Sequence, residues 1–409
     1  MVSGPAPARA ATLAVVVAAL GYFVDIYDLI LFGMVRGASL TDLGVTDLTG
    51  EGIFLLNMQM GGMLVGGILW GILGDKRGRL SVLFGSITLY SIANLVNGTV
   101  DTVDGYAWCR LFAGIGLAGE LGAGITLVSE LMHRNTRGIG TTIVAAFGIT
   151  GGVVAGLIGG AFPGIGVHWR TAYYIGGGMG LALLVLRIGV IESGMFAKAF
   201  QQTISRGNFF ALFTNRKHLV KYLAIIAVGV PVWYVVGILM ALSPELGKAL
   251  GLPEAPRAAT SLFLCYAGLA VGDLSSGLLS HVLRSRRKAL GIALTITTLV
   301  VAAYFVVGGR SLTTFYVISA LGGIATGYWA VFVSTAAELF GTNLRATVAT
   351  TVPNFVRGSL VLVTMGFTAL KGYGVVTAAA VMGIVSLGAA FVGLMSLPET
   401  YGVDLDYLD

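Results

Sequence analysis

Two aspartates, Asp25 and Asp28, lie near the middle of a long apolar run at residues 11–35. About 20 apolar residues are enough for a helix to cross a bilayer, so this run is long enough to span one. A charged side chain at the bilayer centre costs at least ~2.5 kcal/mol, and these two acids would lie on neighbouring faces of one helix. The pair is therefore either a set of structural acids satisfied within a helix bundle or, as we favour, a proton or substrate site that faces a wet cavity.

Three more charged residues, Glu120, Asp273 and Arg357, also lie deep inside apolar runs. Because all four histidines fall in loops or at the ends of runs, a coupled proton would have to be carried by carboxylates, namely Asp25, Asp28 and Glu120. Arginine keeps its charge and has five N–H donors, so Arg357 is expected to bind an anionic group. The other residues expected to shape a substrate cavity are Asp273 and the aromatic residues Tyr27, Trp233, Tyr234, Tyr328 and Trp329.

The composition identifies the class of protein that must hold these charges. Of the 409 residues, 56% are hydrophobic and only 11% are charged, and 61 are glycine. The mean hydropathy of +0.89 is typical of a helical membrane protein with many spans. The net charge of +6 does not indicate nucleic-acid binding, because the basic residues fall in short loops, where they set the topology. Cys109 and Cys265 lie in apolar runs, so we expect no disulfide framework, no metal site and no cofactor.

Polar breaks divide the sequence into twelve apolar segments, each a candidate transmembrane helix. Seventeen Lys and Arg residues, among them Arg187, lie in the loops of one side, against six on the other side, among them Arg36. Positive charge marks cytoplasmic loops, which predicts a multi-pass protein with both termini in the cytoplasm, in a bacterial-type inner membrane. The predicted spans one to twelve cover residues 11–36, 53–74, 79–98, 104–130, 139–162, 170–191, 218–243, 259–283, 288–307, 312–339, 347–370 and 374–397.

A repeated charge pattern divides the chain into two halves of six spans. Glu130 and Arg137 follow the fourth span, and Glu338 and Arg345 follow the tenth, 208 residues later in each case. Matching charges at matching loops indicate two parallel repeats, and the substrate site in such folds lies near the midplane between them. The predicted domains are an N-terminal half at residues 1–191, a cytoplasmic amphipathic linker at residues 192–217 and a C-terminal half at residues 218–409.

Several motifs in these segments resemble those of the major facilitator superfamily. GILGDKRGR (71–79) looks like the superfamily's loop between spans two and three, and RLFAGIGLAGE (110–120) is similar to its span-four signature. HWRTAYYIGG (168–177), ESGMF (192–196) and PET (398–400) resemble the sugar-porter and metabolite:proton symporter branches, and DIYD (25–28) resembles proton-coupled phosphate and aromatic-acid symporters.

The resemblance implies an all-α integral membrane fold with twelve transmembrane helices in two pseudo-symmetric six-helix halves. It also implies that spans one, four, eight and eleven line the cavity between the halves. A cytoplasmic gate is implied as well, in which Asp75 and Arg79 tie the halves together when the inside is closed. Further gate charges would be Glu130, Arg137, Glu338 and Arg345.

The function that we favour is secondary transport by alternating access, in which protons drive the uptake of a small organic anion such as a carboxylate metabolite. Arg357 would bind the anion, and Asp25, with Glu120 or Asp28, would carry the proton. One alternative is a proton antiporter that exports cationic or amphipathic compounds, and another is a phosphate:proton symporter. A non-transporting membrane sensor would need a signalling domain, and no soluble stretch is long enough to fold as one.

The expected partners follow from this function. They are a small-molecule substrate, protons and the lipid bilayer, and we expect no nucleic acid. We further expect a monomer without enzymatic activity.

Overall fold

The N-terminal half folds into six helical segments. The computed structural model describes residues 8–77, 79–120, 122, 137–192, 209 and 211–403, and within these ranges every regular element is a helix. The helices are span one (Ala8–Asp42), span two (Leu48–Arg77), span three (Arg79–Asn97), span four (Val103–Leu117), span five (Arg137–Ile158) and span six (Trp169–Glu192).

The C-terminal half has the same order of long helices with more interruptions. Span seven (Arg216–Tyr234) continues as a π-helix (Val235–Met240) and is followed by a short helix (Ser243–Ala249). The remaining helices are span eight (Ala258–Leu283), span nine (Arg286–Val307), span ten (Leu312–Thr326 and Trp329–Glu338), span eleven (Thr342–Gly358 and Leu360–Leu370) and span twelve (Val375–Ser396). Short helical turns at Ala211–Thr214, Gly308–Arg310 and Lys371–Tyr373 flank the spans.

Nine helices in the described ranges are long and apolar enough to cross a membrane. Two shorter apolar helices, Ser81–Asn97 and Ile143–Ile158, occupy the predicted third and fifth spans, and Val103–Leu117 occupies the fourth. The prediction of an all-helical membrane fold is confirmed. The count of twelve spans stays a prediction, because residues 123–136 between spans four and five lie outside the described part of the chain.

Glycines at the helix crossings bring the charged spans close to their neighbours. A Cβ atom at Gly151 of span five would collide with the carbonyl of Phe23 in span one. In the other half, a Cβ at Gly323 of span ten would collide with the carbonyl of Cys265 in span eight. Helices associate in lipid largely through such close van der Waals packing. Span one is thereby held against span five, and span eight against span ten.

Spans four and ten are interrupted at matching positions. The helix of span four gives way to a turn at residues 118–119, and span ten is broken at residues 327–328. Gly119 and Gly327 are 208 residues apart, which is the offset of the charge repeat. A helix break leaves backbone N–H and C=O groups that need other partners. Polar backbone is therefore presented in the interior at both places.

The two halves meet along a seam, by which we mean the contacts between residues 8–192 and residues 211–403. Span two packs on span eleven, and span five packs on span eight. Direct hydrogen bonds cross the seam: the Thr364 hydroxyl donates to Asn57 Oδ1 at 2.6 Å, and Asn354 Nδ2 donates to the carbonyl of Ala118 at 2.7 Å. The seam is thus packed at the level of the buried charges.

Candidate functional site

Near the middle of the seam, Arg357 of span eleven faces Asp25 of span one. Arg357 Nη2 lies 3.4 Å from Asp25 Oδ2, and neither side chain is more than 1% exposed. Both groups also keep unused polar atoms, because Asp25 Oδ1 and Arg357 Nε and Nη1 have no hydrogen-bond partner among the described residues. We call this contact the seam pair. It is a single, long contact between two groups that can each bind more.

The seam pair joins Arg357 to Asp25, one of the three carboxylates that the sequence predicts as proton carriers. Asp25 and Arg357 are 332 positions apart in the chain, and the fold brings them together across the two halves. Trp329 lies beside them, with the Arg357 guanidinium carbon 5.8 Å from the centre of its ring. An arginine over an aromatic face is a favourable contact that keeps the hydrogen-bonding edge of the guanidinium free. The seam pair therefore has an aromatic wall on one side.

Two tyrosines near the seam pair are not among the site residues predicted from the sequence. Tyr22 and Tyr266 are buried, and both lie within electrostatic range of Arg357. The ring of Tyr22 packs at Gly148 of span five, and the ring of Tyr266 packs at Gly152. A signal for Tyr22 was present, because it precedes Asp25 by three residues and so shares its side of the helix. Tyr266 had no such signal, because only the packing of span eight on span five brings it to the site.

Three of the predicted cavity aromatics instead brace neighbouring helices. Each tyrosine hydroxyl donates to a backbone carbonyl of another helix in its own half. The bond holds the ring in place, and the hydroxyl proton is already used within the protein. Trp233 is buried as well, whereas Trp329 is placed next to Arg357. The bracing bonds run from Tyr27 to Ala172 (2.9 Å), from Tyr234 to Ala379 (2.8 Å) and from Tyr328 to Val228 (2.9 Å).

Asp273 has a local structural role at the break in span ten. Its Oδ1 accepts the backbone N–H of Ala330 at 2.7 Å, and the N–H of Trp329 also points to this carboxylate. These are the first N–H groups of the second half of span ten, which a carboxylate stabilises both as an acceptor and through the helix dipole. Asp273 thus holds the start of the half-helix that carries Trp329, the residue next to Arg357. Its predicted role in lining a substrate cavity stays a prediction.

Glu120 forms a second buried ion pair, with Arg187 of span six. Arg187 Nη1 lies 3.0 Å from Glu120 Oε2, Nη2 contacts Oε1, and the two side chains are 4% and 1% exposed. The pair lies directly against span one at Gly21, where an added Cβ would collide with both groups. The expectation that Arg187 lies in a cytoplasmic loop is wrong, because the helix of span six continues to Glu192 and the Arg187 side chain is buried. The charge of Glu120 is therefore already matched within its half.

Asp28 lies in the interior of the N-terminal half, away from the seam pair. Its Oδ1 sits where a Cβ at Gly176 of span six would be, and both of its oxygens lack a partner with hydrogen-bond geometry among the described residues. Arg110 exerts the strongest opposing charge on it, and Asn94 stands beside it. Arg110 itself donates to Asn94 Oδ1 at 2.6 Å and lies 4.6 Å from the ring centre of Tyr173. Asp28 and Asp25 therefore point into two different environments from one helix.

Most of the predicted cytoplasmic gate charges lie outside the described side chains. Asp75, Arg79, Arg137 and Arg345 are described as helical backbone only, and Glu130 lies outside the described residues altogether. Glu338 pairs with Arg286 at 3.0 Å and accepts a hydrogen bond from the Thr400 hydroxyl at 2.8 Å, both within the C-terminal half. The role of these residues as a gate stays a prediction.

The geometry of the seam pair suits reversible binding rather than covalent chemistry. A guanidinium with free donors can exchange its carboxylate partner for another anion without breaking a covalent bond. Because the pair crosses the seam, such an exchange also changes the contact between the halves. This is what a carrier requires of a central site between two repeats.

Comparison with known proteins agrees with this architecture. The family model described as Major Facilitator Superfamily matches residues 13–360. The chain is 27% identical to the 3-(3-hydroxy-phenyl)propionate transporter of Escherichia coli over 71% of its length and 72% of that protein. It is 28% identical to a putative metabolite transport protein of Haemophilus influenzae over 96% of the chain and 97% of that protein. It is 26% identical to a probable 4-methylmuconolactone transporter of Cupriavidus pinatubonensis, over 94% and 90% respectively.

These matches cover most of the chain and most of each relative, and they agree with the many membrane-spanning helices. The chain is therefore a multi-pass integral membrane transporter and not an enzyme, and it belongs to the Major Facilitator Superfamily.

Proposed function

We propose that this transporter couples proton entry to the uptake of a small organic carboxylate, by alternating access. The seam pair is the observation that carries the proposal. It places a permanently charged guanidinium with free donors opposite a carboxylate, and the two come from different halves. The substrate's carboxylate would take the place of Asp25 at Arg357, so that substrate and proton load together.

The coupling follows from the cost of an unpaired buried charge. An incoming carboxylate can accept two parallel N–H bonds from Arg357, which is a stronger arrangement than the single 3.4 Å contact with Asp25. Once displaced, Asp25 is a buried carboxylate without a counter-charge, and such a group is far more stable in its neutral, protonated form. The proton bonds to an Asp25 oxygen while the substrate holds Arg357. The loaded site then carries no more net charge than the empty one.

The surroundings of Arg357 favour a substrate with a ring or another flat apolar part. Trp329 faces the guanidinium, and Tyr22 and Tyr266 are buried close by. Aromatic side chains supply large contact areas to flat apolar groups beyond what area alone gives. The names of two relatives, which specify a phenylpropionate and a muconolactone, support the same substrate class. We therefore propose a ring-bearing carboxylate.

The two alternative transport functions fit the seam pair less well. A phosphate site is expected to hold more than one basic group, and Arg357 is the basic residue that the described seam contributes at this depth. Export of a cation would need a free acid at the centre, whereas Asp25 faces Arg357 and Glu120 is paired with Arg187. Asp28 is the acid best placed for a cation, but it lies inside one half and beside Arg110.

The proposal also includes the orientation of the protein in the membrane, its two moving halves and its cytoplasmic gate. Both termini would lie in the cytoplasm of a bacterial-type inner membrane, and residues 1–191 and 218–409 would move as two halves joined by residues 192–217. Asp75, Arg79 and the other predicted gate charges would close the cytoplasmic end. The protein would work as a monomer.

The test is transport by the purified protein in liposomes with a trapped pH indicator. We expect 3-(3-hydroxyphenyl)propionate to be accumulated when the outside is acidic, and to carry protons inward when added without a gradient. Inorganic phosphate and tetraphenylphosphonium are the comparison solutes. Binding is measured separately by thermal shift, because a ligand that binds only the folded state must raise its apparent stability.

Three results would contradict the proposal. Accumulation of phosphate in preference to the carboxylate would establish the phosphate alternative. Proton-driven export of tetraphenylphosphonium would establish the antiporter. Carboxylate transport without proton movement would leave the substrate class intact and remove the proton coupling.

A further inference from the structure

A second charged cluster crosses the seam at one end of the molecule, far along span one from Asp25. Arg36 Nη2 donates to both oxygens of Glu245, at 2.7 and 2.9 Å, and to the carbonyl of Ala241 at 3.2 Å. Arg36 Nη1 donates to the carbonyl of Leu48 at 3.1 Å, and the Thr49 hydroxyl donates to Glu245 Oε1 at 3.2 Å. Arg36, Leu48 and Thr49 belong to the N-terminal half, and Ala241 and Glu245 to the C-terminal half. Five contacts therefore converge on one arginine and one glutamate.

This cluster is built more firmly than an ordinary surface ion pair. The Arg36 and Glu245 side chains are only 5% and 19% exposed. Gly52 makes room for the arginine, because a Cβ atom there would lie 2.6 Å from Arg36 Cδ. Exposed ion pairs contribute little, whereas removing one partner of a desolvated pair leaves the other charge uncompensated. The cluster thus contributes to the closed seam at this end.

Its position identifies which end of the carrier it closes. Arg36 lies near the end of span one, which stops at Asp42, and Glu245 lies in the short helix that follows the π-helix of span seven. Both are at the end opposite the loops that carry most of the basic residues. Alternating access requires the halves to separate at each end in turn. All cross-seam contacts of Arg36 must break before this end can open.

We propose that Arg36, Glu245 and Thr49 form an outer latch, which holds the halves together while the opposite end is open. The two contacts from Arg36 Nη2 to the carboxylate of Glu245 give the latch its strength. The partial exposure of Glu245 lets water reach the charges as they part. The proposal rests on the family's alternating access alone. It does not depend on the solute, on proton coupling or on the seam pair.

The test measures opening at this end through the reactivity of one buried cysteine. Leu262 is 1% exposed and lies at the seam, where a Cβ at Gly33 of span one would be 3.0 Å from its Cδ1. Leu262→Cys is placed in a background with Cys109→Ala and Cys265→Ala. The labelling rate with a membrane-impermeant maleimide is then followed from the face opposite the termini, with a terminal tag to report orientation.

We expect Glu245→Gln and Arg36→Gln to raise the labelling rate of the introduced cysteine on the order of tenfold, the change that ~1.4 kcal/mol corresponds to. The double variant Arg36→Glu with Glu245→Arg restores the charge pair with its signs exchanged. It should bring the labelling rate most of the way back to that of the unaltered latch. The milder Thr49→Val removes one hydroxyl donor and should raise the rate about two- to threefold, which corresponds to roughly a third to a half of that free energy. This variant decides the question if the charge variants do not fold.

Asp101→Asn is the matched control. Asp101 pairs with Arg170 at 2.9 Å, also beyond the apolar part of the spans, but both residues lie in the N-terminal half. Loss of that pair should leave the labelling rate unchanged. The latch is overturned if Glu245→Gln and Thr49→Val label no faster than Asp101→Asn, or if the exchanged pair labels as fast as the single variants.

Discussion

Two buried arginine–carboxylate pairs in this protein use the same chemical groups in different ways. In the Arg187–Glu120 pair the two terminal guanidinium nitrogens each contact one carboxylate oxygen, and both residues belong to one half. In the seam pair one nitrogen of Arg357 lies 3.4 Å from one oxygen of Asp25, and the residues belong to different halves. Both pairs are almost completely buried, so burial does not distinguish them.

What distinguishes the two pairs is how much of their bonding capacity is used. The bidentate pair gives each oxygen of Glu120 a donor and leaves only Arg187 Nε without a partner among the described residues. Breaking such a pair inside a helix bundle leaves two uncompensated charges. The seam pair leaves Asp25 Oδ1 and two nitrogens of Arg357 without a partner among the described residues. A substrate anion can therefore bind Arg357 while only one long hydrogen bond is broken. We infer that the first pair stabilises the N-terminal half and that the second is exchanged during transport. Substitutions at Arg357, Asp25 and Glu120 test this contrast.

The largest effect is expected from Arg357→Ala. The substrate would lose its charged donors, each of which is worth about 1.5–3 kcal/mol in a hydrogen bond, so binding should weaken by roughly 100-fold or more. Both proton-driven accumulation and substrate exchange across liposomes should be lost. Arg357→Lys keeps the charge without the bidentate geometry and serves as the control. Exchange at the wild-type rate in Arg357→Ala would show that the substrate binds elsewhere.

Asp25→Asn should separate the two transport modes. The amide resembles the protonated carboxyl and cannot release a proton, so pH-driven accumulation should be abolished while substrate exchange is largely kept. Both rates are measured on the same liposome preparation, with Asp28→Asn beside it as the matched variant. Wild-type accumulation in Asp25→Asn would mean that Asp25 does not carry the proton. Selective loss of accumulation in Asp28→Asn would transfer that role to Asp28.

Glu120→Gln should act on stability instead of coupling. It leaves Arg187 buried without its counter-charge, and removal of one partner of a buried pair costs about 3–5 kcal/mol. We expect a clear fall in the melting temperature of the purified protein. The double variant Glu120→Gln with Arg187→Met should recover much of it, because the buried charge is then gone. If Glu120→Gln is stable and loses only proton-driven accumulation, then Glu120 is a proton carrier, as the sequence alone allowed.

The contrast between the pairs shows where sequence reasoning was sufficient. Composition and apolar runs predicted a helical membrane protein, because the cost of burying charge in lipid acts on each segment separately. The same cost picked out Asp25 and Arg357 as unusual, and a permanently charged arginine had to have an anion nearby. Which of three acids it would be was not predictable, because all three lie at similar depth and only packing distinguishes them.

Arg187 and Asp273 show what the sequence could not reveal. Arg187 lies near a span end, where a loop arginine and a buried one look alike, and its burial depends on Glu120 in another helix. The role of Asp273 depends on a break in span ten, 54 residues further on at Gly327, which exposes the N–H groups that it accepts. Both roles are set by tertiary neighbours, and no local pattern of residue types encodes them.

A carboxylate just after the end of span twelve extends the comparison, because it is satisfied by neutral donors instead of an arginine fork. Glu399, in the PET motif, accepts the Ser285 hydroxyl and the backbone N–H groups of Arg286 at 2.8 Å and Tyr401 at 2.9 Å. It thereby joins the chain after span twelve to the N-terminus of span nine. Partial burial raises its pKa, but these hydrogen bonds outweigh that effect and hold the pKa of Glu399 below its usual range.

The smallest effect is accordingly expected from Glu399→Gln, at about 1 kcal/mol, as for loss of a capping group at a helix N-terminus. Because the pKa is lower in the folded protein than in the unfolded chain, the ionised carboxylate stabilises the fold fully above pH ~4.3, the ordinary value for glutamate. That contribution is lost as the pH falls from there through the lower pKa of the folded state. The melting temperature of Glu399→Gln should therefore lie below that of the wild type at pH 7 and approach it in acid. Glu254→Gln, in an exposed loop at the other end of span eight, is the control. If the difference in melting temperature between the wild type and Glu399→Gln is the same at all pH values, the shape of the side chain matters here and its charge does not.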